Sequence, residues 1–126
     1  MDKPRIFKTK WFQRFVRKEQ IADVALLEAV ERACTGQIDA YLGGGVIKQR
    51  IARPGQGRSG GYRTIIVFRK EDRAVFLYGF AKSQRSNVKP DEVKQFKEAA
   101  KHVLSLTEQQ LAALVKQGDF VEVKGT

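Results

Sequence analysis

The spacing of the apolar residues changes at three consecutive glycines, Gly43, Gly44 and Gly45. Before them, apolar residues recur every three or four positions, which is typical of amphipathic helices. After them, apolar and polar residues alternate, which is typical of strands. This segregation predicts an α+β domain, in which an N-terminal helical hairpin packs on a mostly antiparallel sheet and further helices follow.

Two helices are predicted before the glycines. Residues 5–7 suit a first strand, and Thr9 is a candidate N-cap for a helix that buries Trp11, Phe12, Phe15 and Val16. The second helix is expected to begin at Asp23 and to end at Gly36. Its apolar stripe consists of Val24, Leu26, Leu27, Ala29, Val30 and Ala33.

Three strands are predicted after the glycines, at 46–52, 62–70 and 75–81. A turn at 71–72 joins the last two, and a flexible basic loop at 53–61 joins the first two. Alternation places Lys48 and Arg50 on one face of the first strand, and Ile47 and Ile51 on the other. With no acidic residue expected beside them, these two cations repel each other unless an anion joins them.

The C-terminal part of the sequence is predicted to be mainly helical. Residues 90–92 resemble a first helical turn, and Val93, Phe96, Ala100 and Val103 form the buried stripe that follows. Thr107 and Gln110 form a capping box for a last helix that ends at Gly118, and residues 120–123 are a candidate strand. The 126 residues suit one domain, with a core over about 4–105 and a helical extension over about 106–126.

The positive charge is concentrated in the middle of the chain. The net charge is +10, and residues 46–85 carry 10 basic and 2 acidic side chains, whereas the two flanking segments are nearly balanced. A merely solvated basic face would spread its charge more evenly. The distribution therefore favours a polyanionic partner, because cations that neutralise phosphates release condensed counterions.

Several function classes are disfavoured. One Cys and one His, far apart in sequence, supply neither an internal disulfide nor an ordinary zinc site, and we expect no metal or other cofactor. The glycine-rich segment departs from a P-loop, since Arg58 replaces the lysine and a strand follows. His102 has no nucleophile placed near it. No apolar run could span a membrane and no signal peptide is evident, so a cytoplasmic protein is expected.

Cations and aromatic residues are interleaved through the basic segment. Such a set can hold a phosphodiester, stack on a base and stabilise the charge that develops on phosphorus when a ribose 2′-hydroxyl attacks it. RNA binding without catalysis fits this composition equally well. The candidates are Lys48, Arg50, Arg53, Arg58, Tyr62, Arg63, Arg69, Tyr78, Phe80, Lys82 and Arg85.

Three motifs in this segment occur in order: K-x-R, G-[RK]-x-G-G-Y-R and [YF]-A-K-x-x-[RE]-x-N. They lie in VIKQRIARPGQGRSGGYRTIIVF and FLYGFAKSQRSNV. In these motifs the chain resembles the RelE/HigB family of bacterial type II toxins. The resemblance implies a small microbial-RNase-like fold and metal-independent cleavage of mRNA in the ribosomal A site. It also implies inhibition by a cognate antitoxin, a small helix-turn-helix or other DNA-binding protein encoded by an adjacent gene.

The resemblance also implies which residues act. The family's basic positions fall at Lys48, Arg50, Arg63, Lys82 and Arg85, which are the catalytic candidates. Lys48 is the candidate base because neighbouring cations lower the pKa of a lysine. Ser83 stands where better-studied members have an arginine, and Lys89 where they have a stacking tyrosine. RNA contacts are expected from Arg53, Arg58, Tyr62, Arg69, Tyr78, Phe80 and Lys89.

A second hypothesis assigns the chain to another functional class, the inhibitors of DNA gyrase. The related ParE toxins use the same fold to inhibit DNA gyrase and are not nucleases. The cluster of Lys48, Arg50 and Arg63 favours cleavage, because an inhibitor that binds only protein has less need of a phosphate site.

Overall fold

The computed structural model describes residues 3–53 and 57–124, without the side chains of residues 57–59. The element order is β1 (Arg5–Thr9), α1 (Lys10–Glu19), α2 (Asp23–Cys34), β2 (Ala40–Gly43), β3 (Val46–Arg53), β4 (Gly57–Arg69), β5 (Arg73–Ala81), α3 (Pro90–Ser105), α4 (Glu108–Gln117) and β6 (Phe120–Val123).

The strands form one six-stranded sheet in the order β2-β3-β4-β5-β1-β6. Only the pairing of β1 with β5 is parallel among the pairings of the described strands, so the expected α+β class with a mostly antiparallel sheet is confirmed. The candidate strand at 120–123 is confirmed as β6, which pairs with β1. The C-terminal segment therefore completes one edge of the sheet.

Two sequence predictions for the middle of the chain are wrong. Strand β2 was not predicted; Gly43 is its last residue, Gly44 and Gly45 form the turn to β3, and all three glycines have positive φ. Residues 57–61 were predicted as loop but belong to β4, because β3 extends to Arg53 and offers a hydrogen-bonding partner as far as Gly57. Residues 54–56 of that predicted loop lie outside the described residues.

Helices α1 and α2 cover one face of the sheet. Helix α1 contacts β5 and β1, whereas α2 contacts β3. The prediction that the two helices form a hairpin is not confirmed. Thr9 caps α1 as expected, accepting a hydrogen bond from the backbone N–H of Phe12 at 3.2 Å. Two residues predicted to be buried are exposed: Val24, by 70%, in the first turn of α2, and Trp11, by 39%.

Helices α3 and α4 pack on the other face. The predicted stripe of α3 contacts that side of the sheet, with Ala100 and Val103 fully buried. The capping box of α4 is confirmed, since Thr107 and Gln110 exchange hydrogen bonds of 2.8 and 3.1 Å.

Buried Arg73 fixes the C-terminal end of α3. Its Nη1 donates to the carbonyl oxygens of Val103 and Leu106, each at 2.9 Å, and its Nε lies 2.7 Å from Asp72 Oδ2. The last carbonyl groups of a helix lack partners within the helix. Arg73 satisfies them from β5 and so anchors α3 to the sheet.

The Arg73→Met variant should lose about 3 kcal/mol in the free energy of unfolding, because two buried carbonyl groups lose their donor and Asp72 loses one of its two arginine partners. Arg69→Met is a matched control, since Arg69 also pairs with Asp72 but its side chain is 49% exposed. It should lose less than about 1 kcal/mol. Urea unfolding measures both values. Equal, small losses would show that Arg73 does not anchor α3.

Candidate functional site

Helix α3 covers only part of its face of the sheet. The buried residues beneath it include Val46, Ile65, Val67 and Val75. Further along the same strands, alternation places Lys48, Arg50, Arg63 and Phe80 on this face. We call these four residues, together with Arg85, whose guanidinium lies over the Phe80 ring, the cationic face.

Strand register brings three of the predicted catalytic cations together. Arg50 lies opposite Arg63, which lies opposite Phe80, while Lys48 lies opposite Ile65 in the next row. Directly opposed residues have Cβ atoms about 5 Å apart. The three cations therefore occupy adjacent positions on two paired strands.

The crowding of these cations alters their protonation equilibria. Burial, then Arg63 and Arg50, lower the pKa of the Lys48 ammonium group from its usual value of 10.5. Burial and Arg50 also lower the pKa of Arg63, which is only 6% exposed. An arginine remains protonated despite such a shift, whereas a lysine becomes available as a base.

An acid that sequence reasoning missed lies near these cations. Asp39 Oδ2 accepts a hydrogen bond from the backbone N–H of Arg50 at 2.7 Å and lies 3.5 Å from Arg32 Nη1. Asp39 raises the pKa values of Lys48 and Arg63, but less than burial and the cations lower them. The expectation that no acid lies beside the cations is therefore wrong. Asp39 precedes β2, which was not predicted, so its position could not be inferred.

Gln49 fixes β3 between Lys48 and Arg50, and its side chain is fully buried on the opposite face. Its Nε2 donates to the carbonyl oxygens of Ala29 and Gln37 at 2.9 and 3.2 Å, and its Oε1 accepts from the N–H of Asp39 at 2.8 Å. Thr64 Oγ1 donates to the Gln49 carbonyl oxygen at 2.9 Å. These buried bonds hold the strand that carries the cations.

Arg85 is held by neighbours on three elements. Its guanidinium contacts the Glu92 carboxylate, and donates to Tyr78 Oη and to the Asn87 carbonyl oxygen, both at 3.1 Å. Asn87 Oδ1 also accepts a hydrogen bond from Lys48 Nζ at 2.9 Å. The segment after β5 is thus joined both to the cationic face and to α3.

Glu92 links this network to the start of α3. Its Oε1 accepts from the backbone N–H of Lys89 at 2.8 Å, and the hydrogen bonds from Arg85 and Lys89 lower its pKa to about 2. Glu92 lies three residues after the N-cap, the usual position for such a bond. The sequence signal for Glu92 was this spacing from the N-cap. The signal for Asn87 was its place as the final residue of the third motif.

Two predicted RNA contacts, Tyr62 and Arg53, lie instead on the face of the sheet that α1 and α2 cover. Tyr62 is 2% exposed, packs edge-on against Phe15 with ring centroids 5.9 Å apart, and has the Arg53 guanidinium 5.7 Å from its ring centroid. Successive residues of a strand point to opposite faces of the sheet, so Tyr62 and its neighbour Arg63 lie on opposite faces. The same holds for Arg53 and Arg50, which are three positions apart. The structure therefore does not bring this pair to the cationic face.

The other predicted aromatic residues are close to the cationic face but differ in accessibility. Phe80 is 4% exposed and lies under the Arg85 guanidinium, 5.2 Å from ring centroid to Cζ. Tyr78 is half-buried, and its ring centroid is 4.5 Å from that of Trp11 and 5.6 Å from that of Phe96. Phe80 thus supports Arg85 and offers little open surface for a base.

The remaining predicted residues are dispersed. Lys82 is exposed just after β5, where its backbone N–H donates to Gly61 at 3.0 Å, and Lys89 is exposed at the N-cap of α3. Arg69 pairs with Asp72 at the other end of β4, about 20 Å along the strand from Arg63. The side chain of Arg58 lies outside the described residues.

Other possible sites are separate from this face. Two grooves of about 560 and 830 Å³ are lined by none of the cationic-face residues. Within residues 3–53 and 57–124, no three His, Cys, Asp or Glu side chains come together as potential metal ligands. None of the described helices is long and apolar enough to cross a membrane.

Comparison with known proteins identifies a family. The family model described as the RelE toxin of the RelE/RelB toxin–antitoxin system matches residues 4–123. A search of the curated proteins finds no match. The matched region extends from the residue before β1 to the last residue of β6.

Proposed function

The chain belongs to the RelE family of toxins from toxin–antitoxin systems, and on this premise we propose that it is a ribosome-dependent mRNA endonuclease. Toxins of this family are generally ribonucleases, and membership implies a cognate antitoxin. The proposal adds the substrate, the mechanism and the residues: cleavage of mRNA by its own 2′-hydroxyl group, promoted by the cationic face.

One observation carries the proposal. Lys48, Arg50 and Arg63 lie beside one another on paired strands, where Arg63 and Arg50 lower the pKa of Lys48, and Arg50 lowers the pKa of Arg63, in both cases after burial. An RNA phosphate placed among them relieves this repulsion. Two arginines can donate paired hydrogen bonds to its non-bridging oxygens.

We assign the proton transfers to lysines. Lys48, with its lowered pKa, removes the proton from the 2′-hydroxyl, whose oxygen attacks the adjacent phosphorus. Arg50 and Arg63 stabilise the added negative charge on the phosphorane-like transition state. The bond from phosphorus to the 5′-oxygen breaks, and Lys82 protonates that oxygen. The products are a 2′,3′-cyclic phosphate and a 5′-hydroxyl.

Lys82 suits the role of acid better than Arg85. The guanidinium of Arg85 is held by Glu92, Tyr78 and Asn87, and the contacts with Glu92 and Tyr78 raise its pKa above an already high value. It therefore releases a proton poorly. We assign Arg85 to positioning the segment that follows β5, whereas exposed Lys82 is accessible to substrate.

Substitution of Arg63 tests the function in cells. Induced expression of the wild-type chain should stop amino-acid incorporation within minutes, whereas Arg63→Ala should abolish this block because a phosphate contact is lost. Arg69→Ala, a variant of the same strand outside the cationic face, should remain toxic. Pulse labelling of protein and DNA measures both outcomes.

Binding of the antitoxin by Arg63→Ala serves as the check that the variant is folded. A fully toxic Arg63→Ala chain at equal expression would remove this residue from the site. Induced DNA damage with protein synthesis intact would support the gyrase alternative. Blocked synthesis with uncleaved message would indicate RNA binding without catalysis.

Lys48 provides a test of the mechanism. Lys48→Ala should slow cleavage of ribosome-bound message by about 100-fold or more, the usual contribution of a general base, with little change in ribosome binding. Lys48→Arg should not restore the rate, because arginine stays protonated.

The pH dependence has a defined sign. Since the pKa of Lys48 is lowered from 10.5, its neutral fraction grows as pH rises towards that pKa, and the wild-type cleavage rate should rise with it. In Lys48→Arg the rise should disappear. A parallel pH profile for the two proteins, measured by primer extension after subtraction of uncatalysed hydrolysis, would exclude Lys48 as the base.

A further inference from the structure

We propose that α1 carries a second part of the RNA surface, in which a base flanking the cleaved phosphate stacks on Trp11 and the adjoining backbone lies along Arg14 and Lys18. This inference rests on the proposed function, because it extends the same RNA beyond the cationic face. It assigns a binding role to a helix that the cleavage chemistry does not use.

Trp11 is exposed but firmly supported. Its ring stacks on Phe15 at 5.5 Å and 16°, and contacts Tyr78 at 4.5 Å. Among the described residues, three large hydrophobic side chains are classed as exposed, and the other two are Val24 on α2 and Tyr41 on β2. Only Trp11 of these three has a ring contact with Tyr78. A ring that is held by two aromatic neighbours and is 39% exposed is suited to receive a base.

Trp11 is continuous with the cationic face. Tyr78 lies between the two: its hydroxyl accepts a hydrogen bond from Arg85 at 3.1 Å, and its ring centroid is 6.3 Å from that of Phe80. Phe80 is in turn the register partner of Arg63. An RNA strand whose phosphate is bound by Arg63 therefore has Trp11 within reach of a neighbouring nucleotide.

The charge of α1 supports the same occupant. Arg14 and Lys18 follow Trp11 by three and seven positions, so they lie on the same side of the helix, and both are exposed. The helix has four basic residues, and Glu19 at its end is its only acid. An exposed aromatic residue flanked by cations is the combination that binds single-stranded nucleic acid, through stacking and phosphate contacts together.

Trp11 is the only tryptophan in the chain, so intrinsic fluorescence reports directly on it. The probe is a mixed-sequence single-stranded RNA of 12 nucleotides with 2′-O-methyl groups throughout, which cannot be cleaved by its own hydroxyl groups. Titration of the wild-type chain with this RNA should quench the tryptophan fluorescence. Anisotropy of end-labelled RNA measures binding independently.

Substitutions distinguish the contribution of base stacking to RNA affinity from the contribution of the positive charge. Trp11→Leu should weaken RNA binding about 10-fold or more, as expected for loss of one stacked base, whereas Trp11→Phe should stay within about threefold of wild type. Tyr41→Leu, which removes an exposed aromatic residue from the edge strand β2, opposite Ile47 rather than Lys48 and three strands away from β5, should bind like wild type. Thermal unfolding verifies that the variants are folded.

Several outcomes would overturn the inference. These are the absence of RNA binding, unquenched fluorescence at saturating RNA, or wild-type affinity in Trp11→Leu. Lost antitoxin binding in Trp11→Leu with RNA binding intact would assign the surface to a protein partner, and so would also overturn it. Continued cleavage of message on ribosomes in any of these cases would leave the proposed function standing. Conversely, quenching with the expected loss in Trp11→Leu, but no cleavage on ribosomes, would retain the RNA surface and reject the nuclease.

Discussion

The mutual repulsion of Lys48, Arg50 and Arg63 is the constraint that the surrounding structure has to accommodate. The three side chains lie on adjacent positions of paired strands, and burial further disfavours the charged forms of Lys48 and Arg63. The strand stays in place because the buried side chain of Gln49, between the first two, makes three hydrogen bonds on the opposite face. The stability of β3 and the electrostatic strain of the site therefore reside on opposite faces of the same strand.

The position of α3 determines which part of the sheet is open. Arg73 donates hydrogen bonds to the carbonyl groups at the C-terminal end of α3. In the first turn of α3, Glu92 accepts hydrogen bonds from the Arg85 guanidinium and from the backbone N–H of Lys89. With both ends fixed, the helix covers the apolar half of the face, whereas Arg50 in the cationic half is exposed and Lys48 half-buried. The ion pair between Arg85 and Glu92 occupies one basic residue of the site, and the chemistry that we propose uses Lys48, Arg50, Arg63 and Lys82.

Local sequence signals predicted much of the fold. The caps at Thr9 and Thr107 and the alternation around Lys48 and Arg50 depend on neighbours within a few residues, and the structure confirms them. Strand β2 and the start of β4 depend on pairing with β3, which is a tertiary effect. For the site, alternation alone was sufficient to direct Tyr62 and Arg53 away from Arg63 and Arg50. The exposure of Trp11 was not predictable from helical spacing, because it depends on where β1 ends beside β5.

A single 2′-deoxy substitution at the cut nucleotide tests the central claim that the cationic face promotes attack by the RNA's own 2′-hydroxyl. The cleavage site is first mapped on ribosome-bound message, and the substituted message is then compared with the unmodified one. The account predicts that cleavage at that position is lost, and that unmodified message yields a 2′,3′-cyclic or 3′-phosphate and a 5′-hydroxyl. Unchanged cleavage of the deoxy message, or products with a 5′-phosphate, would contradict it.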